Sequence, residues 1–149
     1  YKTFTLGSII WTEYASNKYQ VWTNNQVAGS GSRFMSDNGS STVIGLSRIL
    51  DTSKGEKSPS GASECIFSSD NRAECESFIS WLNTKFTRFF VACNISKLTG
   101  ILTNDYFRFV PAPPSGKFDH IYTEQELYEA FNLPQKYIDI IESVIKERK

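Results

Sequence analysis

The sequence predicts an α+β domain in which a mainly antiparallel sheet is packed against one long central helix and is followed by a C-terminal helical tail. Three observations indicate this class. Short runs of β-branched and aromatic residues occupy the first half of the chain, one long stretch with helical periodicity covers residues 71–93, and two short helix signatures follow residue 116. Strands that come before a long helix, rather than alternating with helices, are typical of α+β proteins.

The length and composition of the chain indicate a single globular unit. Its 149 residues suit one domain with a substantial core, and 40% hydrophobic content with 14% aromatic content is ordinary for a folded protein. Residues 1–111 form the predicted sheet-and-helix part, and residues 112–149 form a helical tail that packs on it. The chain begins at Tyr1 without a leader-like segment, so we expect it to be a fragment of a larger protein.

Strand-like runs and polar loops alternate before the long helix. The predicted strands are residues 1–14, 18–23, 42–50 and 63–68, of which the first two would form a hairpin. Residues 24–41 and 51–62 are rich in glycine, serine and other turn-forming residues and are predicted to be loops. Long loops in a compact domain are often functional, so both are candidates for binding a ligand.

Residues 71–93 have the periodicity of one continuous helix. Asn71 is predicted to cap its start, and the carboxylate of Glu74 lies where it can reach back to the free amides. The apolar residues recur every three or four positions and predict one buried face: Cys75, Phe78, Ile79, Leu82, Phe86, Phe89, Phe90 and Cys93.

The other face of this helix is predicted to meet phosphates, since it carries Trp81, Thr84, Lys85 and Arg88 at helical spacing. The net charge of the chain is zero, but residues 81–111 contain four basic residues against one acidic residue. Cations on one helix face can each contact a separate phosphate. The competing interpretation is that Trp81 packs against another element and the two cations are only solvated.

A last strand and two helices are predicted after the long helix. Residues 106–110 alternate aromatic and basic side chains until Pro111 ends the strand. Thr123 and Glu126 form a capping box for a short helix through Phe131. Pro134 then stands in the first turn of a second helix, whose predicted apolar face consists of Tyr137, Ile138, Ile141 and Ile145.

The residues that usually carry catalysis are sparse. Three cysteines without paired spacing and one histidine, His120, argue against a cysteine/histidine metal site and favour a reducing, cytoplasmic setting. We interpret His120 as a surface residue beside a helix cap. The glycine-rich residues 29–33 lack the ending of a phosphate loop, although Arg33 is available for a phosphate. We therefore predict no catalytic set and no cofactor.

Two other possibilities concern a membrane partner and metal-dependent chemistry. No apolar run approaches the roughly 20 residues of a membrane span, so we expect no membrane partner. A metal-dependent nuclease would need a rigid carboxylate cluster. Asp51, Glu56 and Lys57 have suitable residue types, but they lie in a predicted loop without a hydrophobic strand to hold them, which disfavours this hypothesis.

Three motifs in order give the chain a resemblance to a known family. They are NTKFTRF at residues 83–89, YFRFVP at residues 106–111 and YTEQELY at residues 122–128. With the strand that precedes the helix, they resemble the C-terminal part of bacterial restriction-modification proteins. The chain departs from that pattern at Thr99-Gly100, where the family has Thr-Gln, at Ile121-Tyr122, where a tryptophan is usual, and at Leu133-Pro134, where a leucine precedes a threonine cap.

The resemblance implies a non-catalytic DNA target-recognition region that binds double-stranded DNA. The rest of the parent restriction-modification protein would then carry the nuclease or methyltransferase activity. With the cations noted in the loops, the candidate DNA contacts are Arg33, Lys54, Lys57, Thr84, Lys85, Arg88, Lys97, Thr99 and Arg108. The alternative is a docking module that contacts another subunit or domain of a restriction complex through Trp22, Trp81 and the helical tail.

Overall fold

A computed structural model describes residues 18–24, 26–27, 47–57, 63–93, 100–101 and 110–145. These residues form two sheets and a set of helices. Several predictions concern residues outside these ranges. They are the strand at residues 1–14, the strand at residues 106–110 except for Val110, and the candidate contacts Arg33, Lys97, Thr99 and Arg108.

The main sheet is antiparallel and three-stranded. Strand β1 (Tyr19–Asn24) lies in its centre, between β3 (Ser47–Asp51) and β4 (Ser63–Ser69). Val21 of β1 lies opposite Ile49 on one side and Phe67 on the other, and the register against β4 shifts between Val21 and Trp22. The predicted antiparallel α+β class is therefore confirmed.

A second, two-stranded sheet was not predicted. Strand β2 (Gln26–Val27) pairs antiparallel with β5 (Gly100–Ile101). The first of these lies in residues 24–41, which were predicted to be a loop, and the second lies between the helix predicted at residues 71–93 and the strand predicted at residues 106–110. Each strand has two residues, which is too short for the alternating pattern by which strands are recognised in a sequence.

The prediction of one long central helix is wrong, because the stretch is two helices. Helix α1 (Arg72–Asn83) and helix α2 (Lys85–Cys93) are separated by Thr84, whose backbone is extended at φ −64 and ψ 149. The Thr84 hydroxyl donates to the Trp81 carbonyl at 2.8 Å and accepts from the Thr87 amide at 3.2 Å. Thr84 thus closes α1 and caps the start of α2.

The start of α1 is as predicted, although the capping contacts differ. The Asn71 side chain accepts a hydrogen bond from the Ala73 amide at 2.9 Å. The carboxylate of Glu74 accepts from the Ser69 hydroxyl at 2.8 Å, and that hydroxyl oxygen accepts from the Asn71 amide at 3.0 Å. Glu74 therefore acts on the cap through Ser69 rather than directly.

The core contains an aromatic cluster between the sheet and α1. Phe67 of β4 stacks on Phe78 of α1 with ring centroids 4.4 Å apart. Phe118, from the start of the tail, lies 5.4 Å from Phe67, 5.2 Å from Phe78 and 5.8 Å from Trp81 in edge-on geometry. Such contacts stabilise aromatic pairs beyond their buried area. The tail therefore contributes directly to the core.

The predicted apolar face of the helical stretch is buried over most of its length. Phe78, Leu82 and Phe86 are buried in the core. Burial raises the pKa of the Cys75 thiol to about 12, so this thiol stays protonated and packs as a small apolar group. Cys93, at the end of α2, is exposed instead.

The tail forms the two helices that the sequence predicts. Helix α3 (Glu124–Ala130) is capped by Thr123, whose hydroxyl accepts from the Glu126 amide at 3.2 Å, and helix α4 (Gln135–Val144) follows Pro134. Ile141 is buried as expected, whereas Tyr137 is 46% exposed. None of the helices within the described ranges has both the length and the apolar character needed to cross a bilayer.

The helix break gives a first testable prediction. Thr84→Ala removes the hydroxyl that caps α2 and contacts Trp81, and we expect it to lower the free energy of unfolding by about 1 kcal/mol. Thr84→Ser keeps the hydroxyl and should be less destabilised. The measurement is urea unfolding followed by circular dichroism. Equal destabilisation of the two variants would show that the hydroxyl does not stabilise the break.

Candidate functional site

The predicted phosphate-binding face of the helix lies mostly inside the protein. Trp81 is 0% exposed, Thr84 is 3% exposed and Arg88 is 1% exposed. The break at Thr84 starts a new helix, so residues on either side of it do not continue one solvent-facing stripe. The competing interpretation is confirmed for Trp81, which packs against Phe118 of the tail. It is wrong for the two cations, because Arg88 is buried and Lys85 is paired with Glu142.

Arg88 connects the two helices. Its Nε donates to the Asn83 carbonyl at 3.0 Å, at the end of α1. A hydrogen bond from a charged group to a helix-terminal carbonyl is favourable, because the last carbonyls of a helix have no partner within it. Arg88 therefore has a structural role in this arrangement, whatever else it contacts.

Lys85 is covered by the tail. Its ammonium Nζ donates to Glu142 Oε2 at 2.6 Å, and its side chain is 17% exposed. The Lys85 backbone amide, in the first turn of α2, donates to Glu124 Oε1 at 3.2 Å. A carboxylate at a helix N-terminus is stabilised by the helix dipole. Lys85 therefore joins α2 to both tail helices.

Glu142 is shared between two donors. It accepts from Lys85 and, at 3.0 Å, from the Tyr128 hydroxyl. Partial burial pushes the pKa of Glu142 up, but the hydrogen bonds from Lys85 and Tyr128 outweigh it and hold the pKa below its ordinary value. Burial raises the pKa of Tyr128, and its hydrogen bond to Glu142 raises it further. At neutral pH the carboxylate is therefore ionised and the phenol is protonated.

Lys54 and Lys57 lie on an ordered turn at the end of β3. A short 3-10 helix (Thr52–Lys54) begins at Asp51 and ends at Gly55, whose φ of 70 requires the left-handed region. The Thr52 amide and hydroxyl both donate to the Lys18 carbonyl, at 2.9 Å and 2.8 Å. Both lysines are exposed. The turn is thus held against the start of β1 while its lysines face solvent.

Asp51 and Glu56, the carboxylates of the nuclease hypothesis, accept hydrogen bonds from other groups of this turn. Asp51 Oδ1 accepts from the Ser53 amide at 3.0 Å and from the Ser53 hydroxyl at 2.6 Å, and Glu56 accepts from the Asp51 amide at 2.9 Å. The hydrogen bond from the Ser53 hydroxyl lowers the pKa of Asp51 against the opposing effect of desolvation. Asp51 ends a strand, contrary to the expectation that no strand holds it. In the ranges that the structure describes, no three acidic, histidine or cysteine side chains are grouped to hold a metal ion.

His120 lies at the surface beside a helix cap, as predicted. Its ring Nδ1 lies 2.7 Å from Asp119 Oδ1, and its Nε2 lies 2.5 Å from Glu126 Oε2. The His120 carbonyl accepts from the Ser77 hydroxyl of α1. The histidine therefore contacts two carboxylates of the tail, while its backbone is attached to α1.

The candidate residues fall into two separate groups. Thr84, Lys85 and Arg88 meet at the junction of α1, α2 and the tail, whereas Lys54 and Lys57 share the turn after β3. Sequence reasoning missed the partners of the first group, which are Glu124, Tyr128 and Glu142. Glu142 is 57 positions from Lys85, and no local pattern connects them.

Comparison with protein-family models, with curated proteins and with solved structures found no match to this chain. The resemblance to restriction-modification proteins therefore depends on the motifs alone.

The Lys85–Glu142 contact gives a second prediction. Lys85→Met and Glu142→Gln should each destabilise the protein, and a double-mutant cycle should give a coupling energy of about 0.5 kcal/mol. Urea unfolding at low salt measures it, and the coupling should shrink at high salt because the pair is partly exposed. A coupling energy of zero at low salt would contradict the pairing.

Proposed function

We propose that the chain is a non-catalytic DNA target-recognition fragment of a bacterial restriction-modification enzyme. It binds duplex DNA, and the rest of the parent protein carries out the chemistry. Two things support this proposal. The ordered motifs resemble those of the family, and Lys54 and Lys57 are exposed on a turn whose backbone is fixed. The exposure of Lys54 and Lys57 on this turn is the main structural support for the proposal.

The turn after β3 suits contact with a phosphate backbone. Its two ammonium groups face solvent, and exposed lysines contribute affinity by neutralising phosphates and releasing counterions. The turn is held by its bonds to Lys18 and by the bond from the Asp51 amide to Glu56. A fixed turn loses little conformational entropy on binding, so more of the contact energy remains as affinity.

The helix junction supports this function indirectly. Thr84 and Arg88 are buried, and Lys85 is paired with Glu142. These three residues stabilise the scaffold, and the loops make the contacts with DNA. Motifs common to proteins with different DNA targets are expected to mark the scaffold, because the residues that read bases should differ between them.

A docking module remains the alternative, and one observation favours it. Ile121, Tyr137 and Ile140 are large apolar residues of the tail that stay exposed. Tyr137 and Ile140 are three positions apart on α4 and therefore lie on one face of that helix. Exposed apolar residues that lie together often mark contact surfaces. Trp81 is buried and cannot take part, whereas Trp22 is partly exposed, so docking to another part of the restriction complex would use Trp22 and the tail.

Removal of the two positive charges on the turn gives the third prediction. Lys54→Ala with Lys57→Ala should weaken binding to duplex DNA, and the slope of log affinity against log salt should fall by about 0.9 for each phosphate that is no longer neutralised. The matched control is Lys117→Ala with Lys136→Ala, which removes two exposed lysines from the tail. Fluorescence anisotropy with pooled labelled duplexes measures both.

Equal affinities of the two double variants would contradict the role of the turn. Absence of binding by the unaltered chain at low salt would contradict DNA recognition by the fragment itself. Association with the rest of the parent protein that resists high salt and is abolished in Tyr137→Ser with Ile140→Ser would support the docking module instead. Arg88→Ala is unsuitable for this test, because it removes a buried side chain.

A further inference from the structure

The surroundings of His120 require a particular protonation state. Carboxylates that are ionised only accept hydrogen bonds, and a neutral imidazole has one donor nitrogen. Both ring nitrogens of His120 lie within hydrogen-bonding distance of a carboxylate, Asp119 on one side and Glu126 on the other. Both bonds can exist together only when the ring is the doubly protonated imidazolium. We call Asp119, His120 and Glu126 the His120 cluster.

The His120 cluster lies between two parts of the tail. The turn that contains His120 is attached to α1, because the Ser77 hydroxyl donates to the His120 carbonyl and the Tyr122 amide donates to the Ser80 hydroxyl at 2.8 Å. Glu126 belongs to the first turn of α3. The imidazolium therefore connects the turn on α1 to the start of α3.

The start of α3 is also connected to the helix junction. Glu124, in the same first turn as Glu126, accepts from the Lys85 amide at the start of α2. We therefore expect any loosening of this turn to weaken the hydrogen bond from the Lys85 amide to Glu124. The His120 cluster can therefore affect the contacts of the tail with α1 and with α2.

We propose that the His120 cluster is a proton-dependent lock on the tail. The protonated ring holds the first turn of α3 against the turn that lies on α1, and loss of one ring proton releases one of the two carboxylates. The lock is a property of the fold and holds whether the chain binds DNA or docks to a partner.

The groups that act on the ring agree with this role. The pKa of His120 is raised above its ordinary value of 6.5. The largest cause is the hydrogen bond to Asp119, and the next is the hydrogen bond to Glu126. The hydrogen bond from His120 lowers the pKa of Asp119, and Lys117 acts in the same direction. The centroid of the Tyr122 ring lies 4.1 Å from that of the imidazole. From α1, the uncharged Ser77 hydroxyl donates to the His120 carbonyl.

The direction of the pH effect follows from these shifts. Because the pKa of His120 is raised by folding, its contribution to stability is complete below 6.5 and is lost as pH rises through the folded pKa. Because the pKa of Asp119 is lowered, its contribution is lost as pH falls through that lower value. The lock is therefore strongest at mildly acidic pH and weakens on both sides.

The single histidine makes a direct test possible. An NMR titration of the imidazole in the 149-residue chain should give a midpoint above 6.5. Glu126→Gln should move that midpoint down toward 6.5, because the ring loses one carboxylate. The matched control is Glu129→Gln on the same helix, which pairs with Gln125 rather than with the ring and should leave the midpoint unchanged.

Amide exchange then separates a lock from an ordinary surface histidine. Protection factors in the first turn of α3 should fall as pH rises through the measured midpoint, and they should be independent of pH in His120→Gln. A midpoint at or below 6.5 in the unaltered chain would overturn the proposal. So would protection in α3 that does not change across the midpoint, or the same pH dependence in His120→Gln.

Discussion

The Thr84 hydroxyl makes the interaction on which the rest of the arrangement depends. It ends α1 by donating to the Trp81 carbonyl and begins α2 by accepting from the Thr87 amide. The change of direction at this residue brings Arg88 against the end of α1 and turns Lys85 toward Glu142. A continuous helix would have carried the same residues along one stripe. Because of the break, the residues predicted to form an exposed phosphate-binding face lie instead where α1, α2 and the tail meet.

The tail is part of the same unit as the sheet and helices. Phe118 completes the aromatic cluster with Phe67 and Phe78, and Phe131 stacks on Phe86 with ring centroids 5.1 Å apart. Glu124 and Glu142 add polar contacts to α2. Apolar burial supplies most of the stabilisation of such a unit, and the polar contacts fix its geometry. A cut after residue 111 would remove part of the core.

Local signals in the sequence predicted the antiparallel class, the start at Asn71 and the cap at Thr123, because each depends on residues that are close together in the chain. The break at Thr84 was missed, since neither proline nor glycine marks it and threonine occurs inside helices as well as at their caps. The partners of Lys85 and His120 depend on how distant segments fold together. Burial of Arg88 could not be foreseen for the same reason. The polar face was therefore predicted to be exposed.

Under the proposed function, the helix junction is scaffold and the turn after β3 faces the DNA. Lysine acetylation, followed by mass spectrometry with and without duplex DNA, distinguishes these two roles. We predict that Lys54 and Lys57 react quickly and are protected by DNA, while Lys85, held by Glu142, reacts slowly and is unaffected. Rapid acetylation of Lys85 that DNA suppresses, with Lys54 and Lys57 unchanged, would instead place the DNA at the helix junction.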